Sequence, residues 1–298
     1  MPPLVPPLKV CLAGGGIKGL AHIGALEVLQ ERGLLRAVRE YIGISAGALC
    51  AFALCVGCTL SELRMVVELL EFGNLRTLEP ETVFDFPETY GIDTGENLVR
   101  LVAAILRAKH LPVDITFAGL RAARPALPAL RMYATDLNTC RAAELSMAAT
   151  PDMELRLALK ASMAIPIYFQ PVRDPATGHV LVDGGVVCHS PLKFLTAEEI
   201  GVTLSLTFSD EHKPKEDIQT LGGFLKQLYF ALDFQYNEEL VGQHRDRVIV
   251  LRCGQFNALN FEMTQEEKVG LLAAGREGVL RFLEGVGGRR PARRYSVG

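Results

Sequence analysis

The sequence predicts an α/β fold in one large domain, and three observations carry that expectation. The chain has 298 residues, 49% of them hydrophobic, and no low-complexity block, which is enough to bury an extensive core without a second domain. Twice a short apolar run leads into a glycine-containing turn and then into a long apolar segment, the pattern of strand, turn and helix. Two more apolar runs, Leu130 to Leu137 and Val180 to Val182, read as further strands.

The first unit starts with a strand at Leu8 to Ala13 (LKVCLA). Gly14-Gly15-Gly16-Ile17-Lys18-Gly19 follows, and LAHIGALEVLQERG then reads as a helix stopped by Gly33. A glycine-rich turn that opens a helix is an anion site, because its backbone N–H groups point outward and the helix dipole adds to their pull. The letters also fit G-x-G-x-x-G, so a dinucleotide fold is the rival reading. That rival needs a carboxylate at the end of the second strand to hold a ribose. Here the second strand, Glu40 to Ile44, ends in Ser45.

Gly43-Ile44-Ser45-Ala46-Gly47 spells G-x-S-x-G between that strand and the apolar segment AGALCAFALC. A sharp turn at this junction pushes the serine hydroxyl out of the backbone at a helix N-terminus, a place suited to a nucleophile. Gly43 and Gly47 allow the strand and helix to approach closely. The two turns make more sense together, since parallel neighbouring strands would bring oxyanion donors and a nucleophile to the same edge. Acyl transfer needs that pairing, and each well-aimed donor is worth roughly 3 kcal/mol of barrier. The N–H of Ala46 is a further candidate donor.

Beyond Gly47, Ser61 to Phe72 and Gly95 to Ala108 read as helices, separated by a loop, TLEPETVFDFPETYGIDT. The second repeats its apolar positions at helical spacing and covers the core. KASMAIPIYFQP, Lys160 to Pro171, reads as a helix end that breaks at Pro166 into an extended piece. The strand at 180–182 delivers Asp183 to a sharp turn at Gly184-Gly185; Asp and Gly are also ordinary turn residues.

A formal charge of −3 argues against a nucleic-acid partner, and the dense basic run is confined to the tail GGRRPARRYSVG. The start, MPPLVPPLKV, has neither the build of a signal peptide nor the length of a membrane span, so a cytoplasmic location is expected. Seven scattered cysteines, among them Cys11, Cys50 and Cys55 inside apolar runs, suit reduced thiols. Cys55-Val56-Gly57-Cys58 ends an apolar helix and has no second pair, so neither zinc nor redox chemistry is expected of it.

AGGGIKG at Ala13 to Gly19, GISAG at Gly43 to Gly47, KASMAIPIYFQP at Lys160 to Pro171 and DGG at Asp183 to Gly185 follow one another as in the patatin-like phospholipases. The sequence resembles that family from Leu8 to Leu206, with weaker likeness in FEMTQEE and the helix carrying Gly275, towards residue 284. The resemblance implies a patatin-type three-layer α/β/α sandwich with a mostly parallel central sheet, as a lipid acyl hydrolase domain over 8–284 between flexible termini, 1–7 and 285–298. It also implies that Ser45 is the nucleophile, Asp183 the second member of a Ser–Asp dyad, and Gly14, Gly15 and Gly16 the oxyanion hole, with Gly43, Gly47, Gly184 and Gly185 supporting. Ala13 stands where family members commonly have Asp, and Lys18 where they often have Arg. Lysine keeps a cation near the turn without arginine's planar fork.

A His-based triad finds a poor match. His22 lies within the first helix, His110 follows a helix, and His212 and His244 lie in polar segments, which leaves His179 and His189 flanking Asp-Gly-Gly. If Asp183 takes the serine proton directly, its site must be dry enough to make a carboxylate a better base than in water. The implied substrate is a lipid ester, a glycerophospholipid first and an acylglycerol as the alternative; a non-catalytic lipid-binding protein is the other reading. VFDFPETY near Phe84 and GGFLKQLYFALDF at Gly222 to Phe234 are candidates for transient contact with a membrane surface, although core packing also explains the second. No cofactor is expected, nor calcium, since no EF-hand loop or dense acidic cluster is present. A protein activator is left open.

Overall fold

The computed structural model describes residues 5–77, 82, 84–209, 218–219, 239–254 and 262–287. In chain order the elements are β1 (Lys9–Leu12), α1 (Leu20–Glu31), β2 (Glu40–Ile44), α2 (Ala46–Cys55), α3 (Leu60–Leu69), α4 (Phe86–Thr89), β3 (Gly91–Asp93), α5 (Glu96–Ala108), α6 (Phe117–Ala123), β4 (Ala129–Asp136), β5 (Arg141–Ser146), α7 (Leu155–Ser162), β6 (Ile167–Phe169), β7 (Val172–Arg173), β8 (Val180–Asp183), α8 (Ala197–Gly201), β9 (Thr203–Ser209), β10 (Val248–Arg252) and α9 (Gln265–Gly287). Short 3-10 turns at Gly16–Gly19 and Phe72–Leu75 join some of them.

The main sheet runs β10-β9-β1-β2-β4-β8-β7. From β10 to β4 all strands are parallel, while β8 and β5 both pair antiparallel with β4. Strand alternation divides the core between two faces. Val10, Leu12 and Met132 join the larger cluster with residues of α1, α2, α7 and α9, whereas Cys11, Ile42, Ile44 and Tyr133 meet Leu192, Leu195 and Leu240 on the opposite face. The result is the expected α/β arrangement with a parallel centre.

Local chemistry sets the boundaries. Gly33, at φ 69°, ends the first helix as a left-handed stop. Thr59 and Glu62 form a reciprocal capping box that starts α3. This helix ends at Leu69, short of the expected Phe72, and the chain tightens into the 3-10 turn before α5. α1 and α9 cross at two glycines: a Cβ on Gly24 would strike the Leu272 carbonyl, and one on Gly275 the Ala21 carbonyl. The stretch expected as a loop between α3 and α5 contains α4 and β3, and β3 pairs in parallel with β6. Both elements are too short to show periodicity; Gly91 permits the contact because a Cβ there would collide with the Phe169–Gln170 backbone. The amphipathic stretch at Gly222 to Phe234 and the basic tail lie outside the described residues.

Candidate active site

The C-terminal ends of β1 and β2 lie side by side, with Leu12 in register with Gly43, so the glycine turn and the serine turn meet at one edge. Ser45 sits between β2 and α2 with φ 52° and ψ −122°, a backbone that L-residues rarely adopt, and it is 5% exposed. Gly43 is required because a Cβ would lie 2.5 Å from the Ala48 backbone; at Gly47 it would strike the Leu12 carbonyl. Gly19 packs the first turn against the second, since its Cβ would stand 2.6 Å from that of Ala46.

Asp183 reaches the same place from the other side of β4. It pairs with Ala134, and Tyr133, one residue earlier, pairs with Ile44. Asp183 is 1% exposed; Oδ1 accepts the Gly185 N–H at 2.7 Å, and Oδ2 meets no hydrogen-bond partner among the described residues. Burial pushes the carboxyl pKa above its ordinary value, against the opposing pull of the Ser45 hydroxyl, the Gly185 N–H and the charge of His189. The carboxylate is therefore dry, adjacent to Ser45 and more basic than in water. Its main chain is held too: Thr135 Oγ1 donates to the Asp183 carbonyl at 2.9 Å, and Gly184 lies so close to the Tyr133 carbonyl that a Cβ would be 2.5 Å away.

The glycine turn corrects one expectation. The Gly14 N–H is not free to meet an oxyanion, because it donates to the His189 carbonyl at 2.9 Å. The Ser45 N–H is likewise taken, by Ser162 Oγ at 3.0 Å. Among the described residues no acceptor meets the N–H groups of Gly15, Gly16 or Ala46. Gly16, at φ 55°, and Ala46 both face the cavity beside Ser45. Lys18 is 3% exposed within the 3-10 turn.

Two residues that cradle this turn escaped the sequence reading. The buried His22 ring is 2.9 Å from the Ala13 carbonyl through Nε2 and lies tilted against Phe208, centroid to centroid 4.7 Å, and the Phe208 ring fills the space where a Cβ of Gly15 would stand. Burial lowers the His22 pKa to about 4, so at neutral pH the ring is uncharged and Nε2–H donates to that carbonyl. Nothing in a helical histidine and a distant strand phenylalanine marks them as neighbours; only the β1–β9 pairing does so.

Ser45 lies on the wall of a cavity that is open to solvent on one side. Leu49, Cys50 and Ala53 of α2, Leu63 and Val67 of α3, Leu98 and Ile105 of α5, and Met163 and Ile165 contribute to its wall, on which Ser45 carries the only side-chain hydroxyl among the described residues. Val66 lines the cavity and is also 39% exposed; Leu69, next to the lining Leu70, and Ile167, two positions after the lining Ile165, are exposed as well. Phe84 is 81% exposed, which core packing does not account for. No described helix is long and apolar enough to cross a membrane, and no disulfide joins cysteines among the described residues.

Comparison with known proteins matches this arrangement to a family. A sequence profile described as Patatin-like phospholipase matches residues 10–195. The chain is 28% identical over 293 residues to the uncharacterized protein YqhO of Bacillus subtilis (strain 168), covering 91% of this chain and 96% of that protein. It is 29% identical over 183 residues to the probable lipid hydrolase 463L of Invertebrate iridescent virus 6, covering 61% of this chain and 60% of that one. In fold it is similar to VipD from Legionella pneumophila, with a TM-score of 0.59 at 16% identity over 94% of this chain and 67% of VipD. The chain belongs to the patatin-like phospholipase family.

Proposed function

We propose that this chain is a lipid acyl hydrolase of the phospholipase A type, which releases fatty acids from glycerophospholipids through a Ser–Asp dyad. The observation that carries this reading is the apolar cavity that begins at Ser45, with the buried carboxylate of Asp183 beside that hydroxyl. An acyl chain suits such a wall, whereas a sugar or nucleotide would lose its hydrogen bonds there. The likeness to the probable lipid hydrolase 463L supports the same substrate class.

In the acylation step the Ser45 hydroxyl gives its proton to Asp183 while Oγ forms a bond to the ester carbonyl carbon. The carbonyl π electrons move to oxygen, where the N–H groups of Gly15, Gly16 and Ala46 stabilise the charge. Collapse of the tetrahedral intermediate breaks the bond to the lysolipid oxygen, which takes the proton back from Asp183. Water then repeats the sequence on the acyl-enzyme, with Asp183 again as base, and the fatty acid leaves. The exposed Val66 on the cavity wall, with exposed Leu69 next to the lining Leu70 and exposed Ile167 two positions after the lining Ile165, supports transient contact with a membrane surface during loading.

The test is fluorophosphonate labelling read by intact mass, followed by fatty-acid release from phosphatidylcholine vesicles and from triacylglycerol emulsions. One adduct that is lost in Ser45→Ala and in Asp183→Asn, with release from vesicles, is the expected result. Release from the emulsion alone would replace the phospholipase reading by acylglycerol hydrolysis. Absence of an adduct on the folded native chain would favour a lipid-binding scaffold.

A further inference from the structure

We infer that Ser162 is a positioning residue for the nucleophile, acting through the backbone amide of Ser45; the inference rests on the dyad reading above. Ser162 is the last residue of α7 and is fully buried. Its hydroxyl donates to the Tyr133 carbonyl at 2.8 Å and accepts the Ser45 N–H at 3.0 Å. The parallel ladder between β2 and β4 ends at the pair Ile44 and Tyr133, and the hydroxyl stands at that end, bridging the next amide to a β4 carbonyl. The bridge satisfies two buried backbone groups while Ser45 turns to φ 52° instead of continuing the strand. An alanine at 162 removes the bridge and leaves an N–H and a C=O unpaired in a dry place, which favours a shift of the turn.

The same turn also holds the base. The Asp183 N–H donates to the Ala164 carbonyl at 2.8 Å, two residues after Ser162, while Met163 and Ile165 line the cavity. One short segment therefore fixes the main chain of both dyad residues and forms part of the acyl wall. Ser45 and Asp183 come from strands separated by β4, so their mutual position depends on a link of this kind. A displacement of about 1 Å at a reacting group can cost on the order of a hundredfold in rate.

The experiment compares the native chain with Ser162→Ala and with the near-isosteric Ser162→Cys, which keeps volume but accepts a hydrogen bond poorly. Fluorophosphonate labelling rate, kcat and KM on phosphatidylcholine vesicles, and binding of a fluorescent fatty acid are measured together. Positioning predicts labelling and kcat lowered by about ten- to hundredfold in both variants, with KM and fatty-acid binding within about twofold of native. Native labelling rates in both variants would overturn the inference. Fatty-acid binding and melting temperature that fall in step with labelling would overturn it too, by reducing Ser162 to a structural residue. If the native chain takes no label while Ser162→Ala stays folded, the dyad reading itself fails and this inference falls with it.

Discussion

Asp183 pairs with Ala134, and Ile44, the residue before Ser45, pairs with Tyr133. The carboxylate and the serine are thus brought to the same level of the sheet from opposite sides of β4, although they stand 138 positions apart in the chain. Replacement of Asp183 by Asn keeps shape and removes the proposed base, so turnover should fall by at least about a thousandfold. Circular dichroism checks that the fold survives, and vesicle hydrolysis reads the loss.

The same carboxylate fixes a pH dependence. Its pKa is raised in the folded state, so between the unfolded and folded values the native chain binds more protons than the unfolded one. Stability contributed at this site is greatest at acid pH and is lost as pH rises through the folded pKa. Asp183→Asn should therefore melt at a higher temperature than the native chain at pH 7, with the difference closing at pH 3. In the native enzyme kcat/KM should fall towards acid with a midpoint above the ordinary carboxylate value of about 4. A midpoint at or below that value would assign the limb to another group.

The turns were legible before the structure because they are written in glycine. Gly43, Gly47 and Gly184 each stand where a Cβ would strike a backbone atom, so sequence and geometry carry the same information there. What was not legible depends on pairing between distant segments. That Gly14 gives its N–H to His189, and that Phe208 lies under Gly15, follows from which strands are neighbours, and no local pattern states it. The short α4 and β3 escaped for a different reason: three or four residues show no period, and β3 exists through its pairing with β6.

Gly15→Ala provides a test of that cradle. The new methyl would stand 2.5 Å from the Phe208 ring, so the turn carrying the proposed oxyanion donors must move. Activity should drop by about a hundredfold, the loss expected for one misplaced donor. Phe208→Leu gives room for the methyl, and the double variant should recover a substantial part of the loss. Additive losses in the double-mutant cycle would show that the two sites are independent.

The α1–α9 crossing should be intolerant of side chains. Gly275→Ala places a methyl against the Ala21 carbonyl, and no rotamer relieves a clash at Cβ. Overpacking of this kind costs about 1–3 kcal/mol or more, which urea unfolding will measure. Gly285→Ala, where a Cβ meets nothing within 4 Å, is the control and should be nearly neutral.

Chain-length preference should be set from α2. Ala46 stands beside Ser45 and Ala53 lies seven residues further along the same helix, about 10 Å away at 1.5 Å per residue, with both on the cavity wall. Phenylalanine at 53 would fill the cavity at that depth without touching the proposed donors near Ser45. Ala53→Phe should therefore hydrolyse p-nitrophenyl butyrate at close to the native rate while p-nitrophenyl palmitate turnover falls by more than about tenfold. Ala53 is 2% exposed, so the added ring has no route to solvent and must occupy the cavity or push its walls apart. A uniform loss for both esters, with a lower melting temperature, would indicate the second, whereas retention of palmitate turnover would mean that the acyl chain follows another path.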